Sequence, residues 1–448
     1  MRDAWNGSAL RRSAKVSLTG QACRGAGADV RWTQIRNDDD RARSYSPSWA
    51  TIPDSAAYVP KVMVEPLPVV QLKNAWNSTH PWIFQRLVEK PAQRPKPGSI
   101  VDVVGVDGVF IGRGFYNGHS RIALRMLERD PDVAVDADWF VRKIGEAVRL
   151  RREFLKLDEV SNAWRVVHSE GDGISGLVVD RYDDLIVVEF FSAGAWRHRS
   201  IIFDALREHF PGCRFHSFAD EHVQKQESFD YKDTQGTEPA VVTEHGIRFR
   251  ADPAGAHKTG FFADQRENRE WLSRQCEGRR VLDLCCNTGG FGVYAAARGA
   301  SEVVGIDIDP AVIEIAKQNA HLNKVKPRFI QADIFPWLRD AALNGEQFDV
   351  VILDPAKMTR DREQVINALK KYLDMNKLAL GVVKPGGLFA TFSCTGLVSE
   401  EQFLDMLRRA AFYAGRTVQV LKVAGAGPDH PWLAQVPESR YLKAVFCR

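Results

Sequence analysis

The chain has 448 residues, 44% of them hydrophobic and 26% charged, with a net charge of +4: a globular composition, long enough for about three domains, that permits a polyanionic partner without demanding one. Seven cysteines, an odd number without C-x-x-C spacing, argue against a disulfide framework or a structural metal and for a reducing compartment. No apolar stretch approaches the roughly 20 residues of a membrane span and no apolar signal core opens the chain, so the expectation is a soluble cytoplasmic protein with no membrane partner.

Residues 1–62 are rich in Arg, Ser, Gly and Asp without a sustained hydrophobic period, and read as a disordered extension. Asp38-Asp39-Asp40 speaks against a basic transit peptide there, and Met63 is expected to begin the structured part. Residues 63–135 read as short strands and turns. Ile100 to Val104, Val109 to Gly114 and Ile122 to Leu127 alternate around an Asp107-Gly108 turn, the pattern of a hairpin within a small β-barrel. Between residues 61 and 130, ten Lys or Arg face six acids, interleaved with Trp76, Trp82, Phe84, Phe115 and Tyr116. That mixture suits RNA, held by phosphate charge and base stacking, although an ordinary barrel with core aromatics would look similar.

Residues 136–246 read as an α+β module: a helix from Ala137 to Lys156, then strands Leu177–Asp180 and Leu185–Phe190 around a turn at Asp183-Asp184. The glycines of Gly171-Asp172-Gly173-Ile174-Ser175-Gly176 lack a following Lys-Ser/Thr, which favours a turn over a phosphate loop.

From residue 247 to 448 the pattern becomes strand–helix alternation. Asp283, Asp307, Asp333 and Asp354 each close a short apolar run, 24, 26 and 21 residues apart, which leaves room for one helix between successive strands. A parallel sheet of that kind binds ligands at the carboxyl ends of its strands. The first strand runs into Asn287-Thr288-Gly289-Gly290-Phe291, a glycine turn opening a helix. An acid at the second strand end, Asp307, suits the two hydroxyls of a ribose. The adjacent pair Gly289-Gly290 is not the G-x-G-x-x-G of a dinucleotide site, so S-adenosyl-L-methionine, which has no diphosphate, fits better. Asp333 would then accept from the adenine amino group, Asp354 would lie beside the departing methyl, and Phe262 and Gln265 would reach the methionine part. Equally, the role of Asp264 in this segment could be only to cap the helix that follows; Asp309-Pro310 is expected to open a helix carrying Val312, Ile315, Ala316 and Leu322 against the sheet.

The reaction rests on Asp354-Pro355-Ala356-Lys357 and on Cys394, which ends an apolar strand on the edge where Asp354 emerges. Carbon 5 of cytosine is a poor nucleophile until a thiolate adds to carbon 6. Cys394 would supply that thiolate, with Lys357 or the substrate phosphate geometry bearing on its ionisation and Asp354, protonated or sharing a proton, hydrogen-bonding ring nitrogen 3. The base that removes the carbon 5 proton is not identified. Amino-group methylation is the competing chemistry, but Ala356 and Lys357 stand where an aromatic would stack the flipped base. A non-catalytic RNA-binding protein and a nicotinamide-dependent oxidoreductase remain the other classes.

About 380 of the 448 residues, from Val69 to Arg448, resemble the bacterial ribosomal RNA large-subunit methyltransferase I family, which makes 5-methylcytosine in 23S rRNA. The resemblance is carried by His80-Pro81-Trp82-Ile83-Phe84, Gly171 to Gly176, Glu244-His245-Gly246, His257-Lys258-Thr259-Gly260-Phe261, Thr288 to Phe291, Asp354-Pro355 with Lys357, and Thr391-Phe392-Ser393-Cys394-Thr395-Gly396. It implies an N-terminal PUA-like β-barrel, a central α+β domain and a class I Rossmann-like α/β methyltransferase domain. It also implies S-adenosylmethionine as donor, large-subunit ribosomal RNA as partner and Cys394 as the nucleophile of a covalent adduct, and it leaves a homodimer open. The family's Asp-Pro-Pro-Lys is Asp-Pro-Ala-Lys here, its Glu-Glu-His-Gly-Asp is Thr243-Glu244-His245-Gly246-Ile247, and the leader has no counterpart.

Overall fold

A computed structural model of the chain describes residues 66–232, 237–253 and 261–448. The extension over 1–62, the start at Met63 and the stretch His257 to Gly260 lie outside the described residues.

The first sheet comprises β1 (Val69–Gln71), β2 (Trp82–Phe84), β3 (Ser99–Val104), β4 (Phe110–Tyr116) and β5 (Ile122–Glu128), in the order β1-β3-β4-β5-β2. Gly108 sits at φ +80°, a conformation glycine adopts without a Cβ clash, and Val109 N–H donates to Asp107 Oδ1 at 3.1 Å, so Asp-Gly makes the expected turn. Lys73 N–H reaches Leu87 O and Glu89 N–H reaches Gln71 O, both at 2.9 Å. The sheet thereby closes on itself around Val70, Ile83, Val101, Val103 and Leu124.

The middle module packs α1 (Ala137–Arg149), capped by Asp136, against β6 (Ala163–His168), β7 (Leu177–Tyr182), β8 (Leu185–Phe190) and β9 (Arg214–Phe218). Trp139, Phe140, Ile144, Trp164 and Val188 form the core between them. Helices α2 (Ala193–Arg197) and α3 (Arg199–His209) cross over to β9, and α4 (Glu221–Glu227) follows it. The buried Glu227 accepts from Ser120 Oγ at 2.7 Å and Arg125 Nη2 at 3.0 Å, pinning the first sheet to the middle module. Breaking such a buried pair on one side costs about 3–5 kcal/mol.

The hairpin β10 (Ala240–Glu244) and β11 (Ile247–Ala251) turns at His245-Gly246, so the expected boundary at residue 246 falls in its loop. Glu244 is fully buried, bidentate to Arg269 at 2.8 Å twice, with the Tyr294 hydroxyl donating to Oε1 at 2.9 Å. This acid of the Glu-His-Gly motif fastens the hairpin to the helices beneath the large sheet.

That sheet has seven strands: β12 (Arg280–Leu284), β13 (Glu302–Asp307), β14 (Arg328–Gln331), β15 (Phe348–Leu353), β16 (Val383–Ser393), β17 (Val420–Ala424) and β18 (Lys443–Cys447). The order is β14-β13-β12-β15-β16-β18-β17, with β12 to β16 parallel and β18 antiparallel to its neighbours. Helices α5 (Arg266–Ser273), α6 (Gly290–Ala297), α7 (Pro310–Leu322), α8 (Ile334–Leu343), α9 (Val365–Gly381) and α10 (Glu400–Tyr413) accompany the strands. Asp309 caps α7 through Ala311 N–H at 2.8 Å, with Pro310 in its first turn, as the pattern predicts. The chain order reverses between β12 and β15, and in such sheets a crevice opens beyond the carboxyl ends there.

Candidate active site

The loop between β12 and α6 holds three left-handed residues, Cys285 (φ +58°), Asn287 (φ +48°) and Gly289 (φ +79°). Two are not glycine, and each such residue stores about 1–3 kcal/mol of strain that persists only where its surroundings enforce it. The enforcing contacts are Asn287 N–H to Asp307 Oδ2 at 2.9 Å, Thr288 N–H to Asn287 Oδ1 at 2.8 Å and Asn319 Nδ2 to Thr288 O at 2.9 Å. A Cβ on Gly289 would lie 2.7 Å from the Phe329 ring, so only glycine fits. Phe291 is buried in α6 and contacts Phe392 at a ring separation of 5.1 Å.

Asp283 is buried at the end of β12; its Oδ2 accepts from Gly292 N–H at 2.8 Å, while Oδ1 has no hydrogen-bond partner among the described residues. Burial, with Asp354 and Asp307 adding to it, pushes this carboxyl up to about 8. Asp307, half-buried, takes N–H groups from Asn287 and, at 3.1 Å, from Asp309; a carboxylate has about four acceptor positions, so about two are left. Asp333 is exposed and caps α8 through Phe335 N–H at 2.9 Å, with acceptor capacity likewise remaining.

Asp354 follows β15, and its Oδ2 accepts from Gln265 Nε2 at 2.9 Å; Gln265 is buried and is itself held by Asn268 Nδ2 at 2.7 Å. Phe262 is half-buried, its carbonyl accepting from Arg269 Nη1 at 3.0 Å. Asp264 does not cap α5. It is buried: the C-terminal segment brings the Tyr441 hydroxyl to its Oδ2 at 2.6 Å, while Oδ1 has no hydrogen-bond partner among the described residues.

Strands β15 and β16 are adjacent and parallel, with Leu353 opposite Thr391, so the residues leaving them emerge together. Cys394 is half-buried with Sγ 4.0 Å from Pro355 O. Ala356 and Lys357 are exposed beside it, and Arg360 further along the loop pairs with Asp220, the N-cap of α4, at 3.5 Å. Thr395 anchors the arrangement: Oγ1 receives Met358 N–H at 3.0 Å and lies 2.9 Å from the Tyr372 hydroxyl. Burial pushes that phenol up to about 12. Lys443 Nζ donates to Thr395 O at 2.7 Å.

Tyr372, Asn268, Tyr441 and Lys443 are the site residues that sequence reasoning missed. The single signal for Lys443 was a lone charge heading the apolar run Ala444 to Cys447.

The carboxyls of Asp307 and Asp354 stand near enough to the buried Asp283 to help raise it, and no His/Cys/Asp/Glu group among the described residues is arranged to hold a metal ion. A ligand bearing an organic cation would relieve such a group of acids. The sheet order and this edge define a class: S-adenosylmethionine-dependent methyltransferases.

The comparisons agree. Residues 216–418 match the model of S-adenosylmethionine-dependent methyltransferases, and residues 72–129 the PUA-like domain. The chain is 38% identical over 379 residues to the ribosomal RNA large subunit methyltransferase I of Aeromonas hydrophila, covering 82% of this chain and 95% of that protein. The protein of the same name from Tolumonas auensis is 38% identical over 378 residues, with the same coverage. The crystal structure of SMU.776 complexed with SAH superposes with a TM-score of 0.71 at 19% identity, over 85% of this chain and 99% of that one, a likeness of fold. The chain belongs to the ribosomal RNA large subunit methyltransferase I family and is an S-adenosylmethionine-dependent RNA methyltransferase with a PUA-like domain.

Proposed function

We propose that the protein methylates carbon 5 of a cytosine in large-subunit ribosomal RNA through a covalent adduct at Cys394. The observation that carries this reading is the meeting of Cys394 with the Asp354-Pro355 turn at the ends of β15 and β16, Sγ 4.0 Å from Pro355 O. S-adenosylmethionine, when bound, supplies a methyl group on a sulfonium.

Its nucleoside would rest on the loop Asn287-Thr288-Gly289-Gly290-Phe291, with Asp307 taking the ribose hydroxyls and Asp333 the adenine amino group. Phe262 and Gln265 would border the methionine part, with Asp283 behind the loop. The Cys394 thiolate forms a bond to carbon 6 of a flipped-out cytosine, and the carbon 5–carbon 6 π pair becomes an enamine. Carbon 5 uses that pair to take the methyl, breaking the sulfonium–methyl bond. A base removes the carbon 5 proton, and the returning pair expels Cys394. Asp354, steadied by Gln265 and carrying a proton, donates it in a hydrogen bond to ring nitrogen 3 as the thiolate adds, and the exposed Lys357 faces the RNA phosphate and favours the thiolate. The closed N-terminal barrel, from Val69 to Glu128, holds the RNA, and the large-subunit RNA of a cytoplasmic ribosome is the substrate. Among the described residues no helix is long and apolar enough to cross a membrane.

The test is mass-spectrometric mapping of ribosomal RNA from a deletion strain and from a Cys394→Ala strain. One 5-methylcytosine missing in both supports the reading; loss of a methylated adenine or guanine instead contradicts it.

A further inference from the structure

We propose that Lys443 is a positioning residue for the Cys394 thiolate, holding a positive charge beside the sulfur so that the thiol ionises near neutral pH. The inference rests on the adduct chemistry proposed above and names the group that prepares it.

Lys443 begins β18 and stands directly across the sheet from Ser393, the residue before Cys394. Its side chain turns along the strand ends: Nζ donates to Thr395 O at 2.7 Å and Tyr441 O at 2.8 Å. Thr395 is the residue after Cys394, so the ammonium is tied to the backbone on one side of the cysteine while its own strand pairs with the other. The residue is 2% exposed. An ammonium has three donors, and here two are taken by carbonyl oxygens and neither by a carboxylate. Burying a cation without an acid against it is costly, and an apolar residue at the head of this apolar strand would avoid that cost. A nearby group that becomes an anion during the reaction gives the charge a purpose.

The electrostatics run the same way. Burial lowers the Lys443 ammonium to about 8, while Cys394 opposes that and Lys357 reinforces it. A cysteine that favours the charged lysine is itself favoured as thiolate by it. The other charged or titratable groups facing this corner are Asp354 and Lys357 from the loop after β15, Tyr372 from α9, Glu400 from α10 and Arg440 from the segment before β18. Arg440 and Glu400 pair with each other. Of these cations Lys443 is the buried one, where screening by solvent is weakest.

The test is the pH dependence of iodoacetamide alkylation at Cys394, read by peptide mass spectrometry on the full-length protein without RNA or methyl donor. In the unsubstituted protein the midpoint should fall below the ordinary thiol value of about 8.5. Lys443→Gln should raise it by about one pH unit, a tenfold slower alkylation at pH 7, and Lys443→Arg should restore it. A Lys443→Gln midpoint equal to that of the unsubstituted protein would overturn the proposal. If Lys443→Gln fails to fold, an unsubstituted midpoint at or above about 8.5 overturns it alone. Full methylation by Cys394→Ala would instead sink the adduct chemistry; an inactive Cys394→Ala with an unmoved Lys443→Gln midpoint removes only the role of the lysine.

Discussion

At the ends of β12, β13 and β14 each acid is held by backbone N–H groups: Asp283 by Gly292, Asp307 by Asn287 and Asp309, Asp333 by Phe335. At the ends of β15 and β16 the holding groups are mostly side chains from distant parts of the chain. Gln265 reaches Asp354 across 89 residues, and Lys443 reaches Thr395 across 48. The first region is a cradle that its own loops rigidify; the second assembles only when α5, α9 and β18 have all docked. Substitutions should therefore separate, with cradle variants losing affinity for the methyl donor and variants at the composite corner losing rate while still binding it.

The largest effect is expected at the corner. Cys394→Ala should lower kcat by about 10³-fold or more, while calorimetry finds the affinity for S-adenosylmethionine unchanged. A parallel loss of affinity would merge the two regions into one. In the cradle, Asp307→Ala removes charge-assisted hydrogen bonds worth about 1.5–3 kcal/mol, so the Kd for S-adenosylmethionine should rise roughly 10- to 100-fold by the same measurement. Gly289→Ala puts a Cβ 2.7 Å from Phe329 at φ +79°, and should destabilise the fold by about 1–3 kcal/mol in urea titrations.

A last effect, read as a slope and not as a single loss, is a pH dependence at Asp283, whose carboxyl is raised from 3.8 to about 8 by burial and by its acidic neighbours. Between those values the folded chain keeps a proton that the unfolded chain has lost. Stability of the ligand-free protein therefore falls as pH rises through that window, by up to about 1.4 kcal/mol per pH unit from this group. Asp283→Asn should flatten that slope, measured as urea midpoints from pH 5 to 8.

The same contrast explains what was legible in the sequence. Asp283, Asp307, Asp333 and Asp354 could be read because each closes an apolar run, and period and spacing are local properties. Asp309-Pro310 was legible for the same reason. For Asp264 a helix cap stayed open in the sequence, because its actual donor, Tyr441, lies 177 residues away. Lys443 was passed over because a charge at a strand end ordinarily reads as solvated surface; its burial follows from the antiparallel pairing of β18 with β16. The Glu244-His245-Gly246 motif was visible, yet its purpose, a buried carboxylate clamping Arg269, required the hairpin and α5 to be seen together.

The covalent step is tested most directly with substrate RNA carrying 5-fluorocytosine at the target position, where fluorine replaces the proton that must leave. With S-adenosylmethionine present, a denaturant-resistant RNA–protein complex should accumulate, with the RNA joined through a sulfur–carbon bond to the peptide containing Cys394. No such complex, or one joined to another residue, would contradict the assignment of Cys394 as the nucleophile.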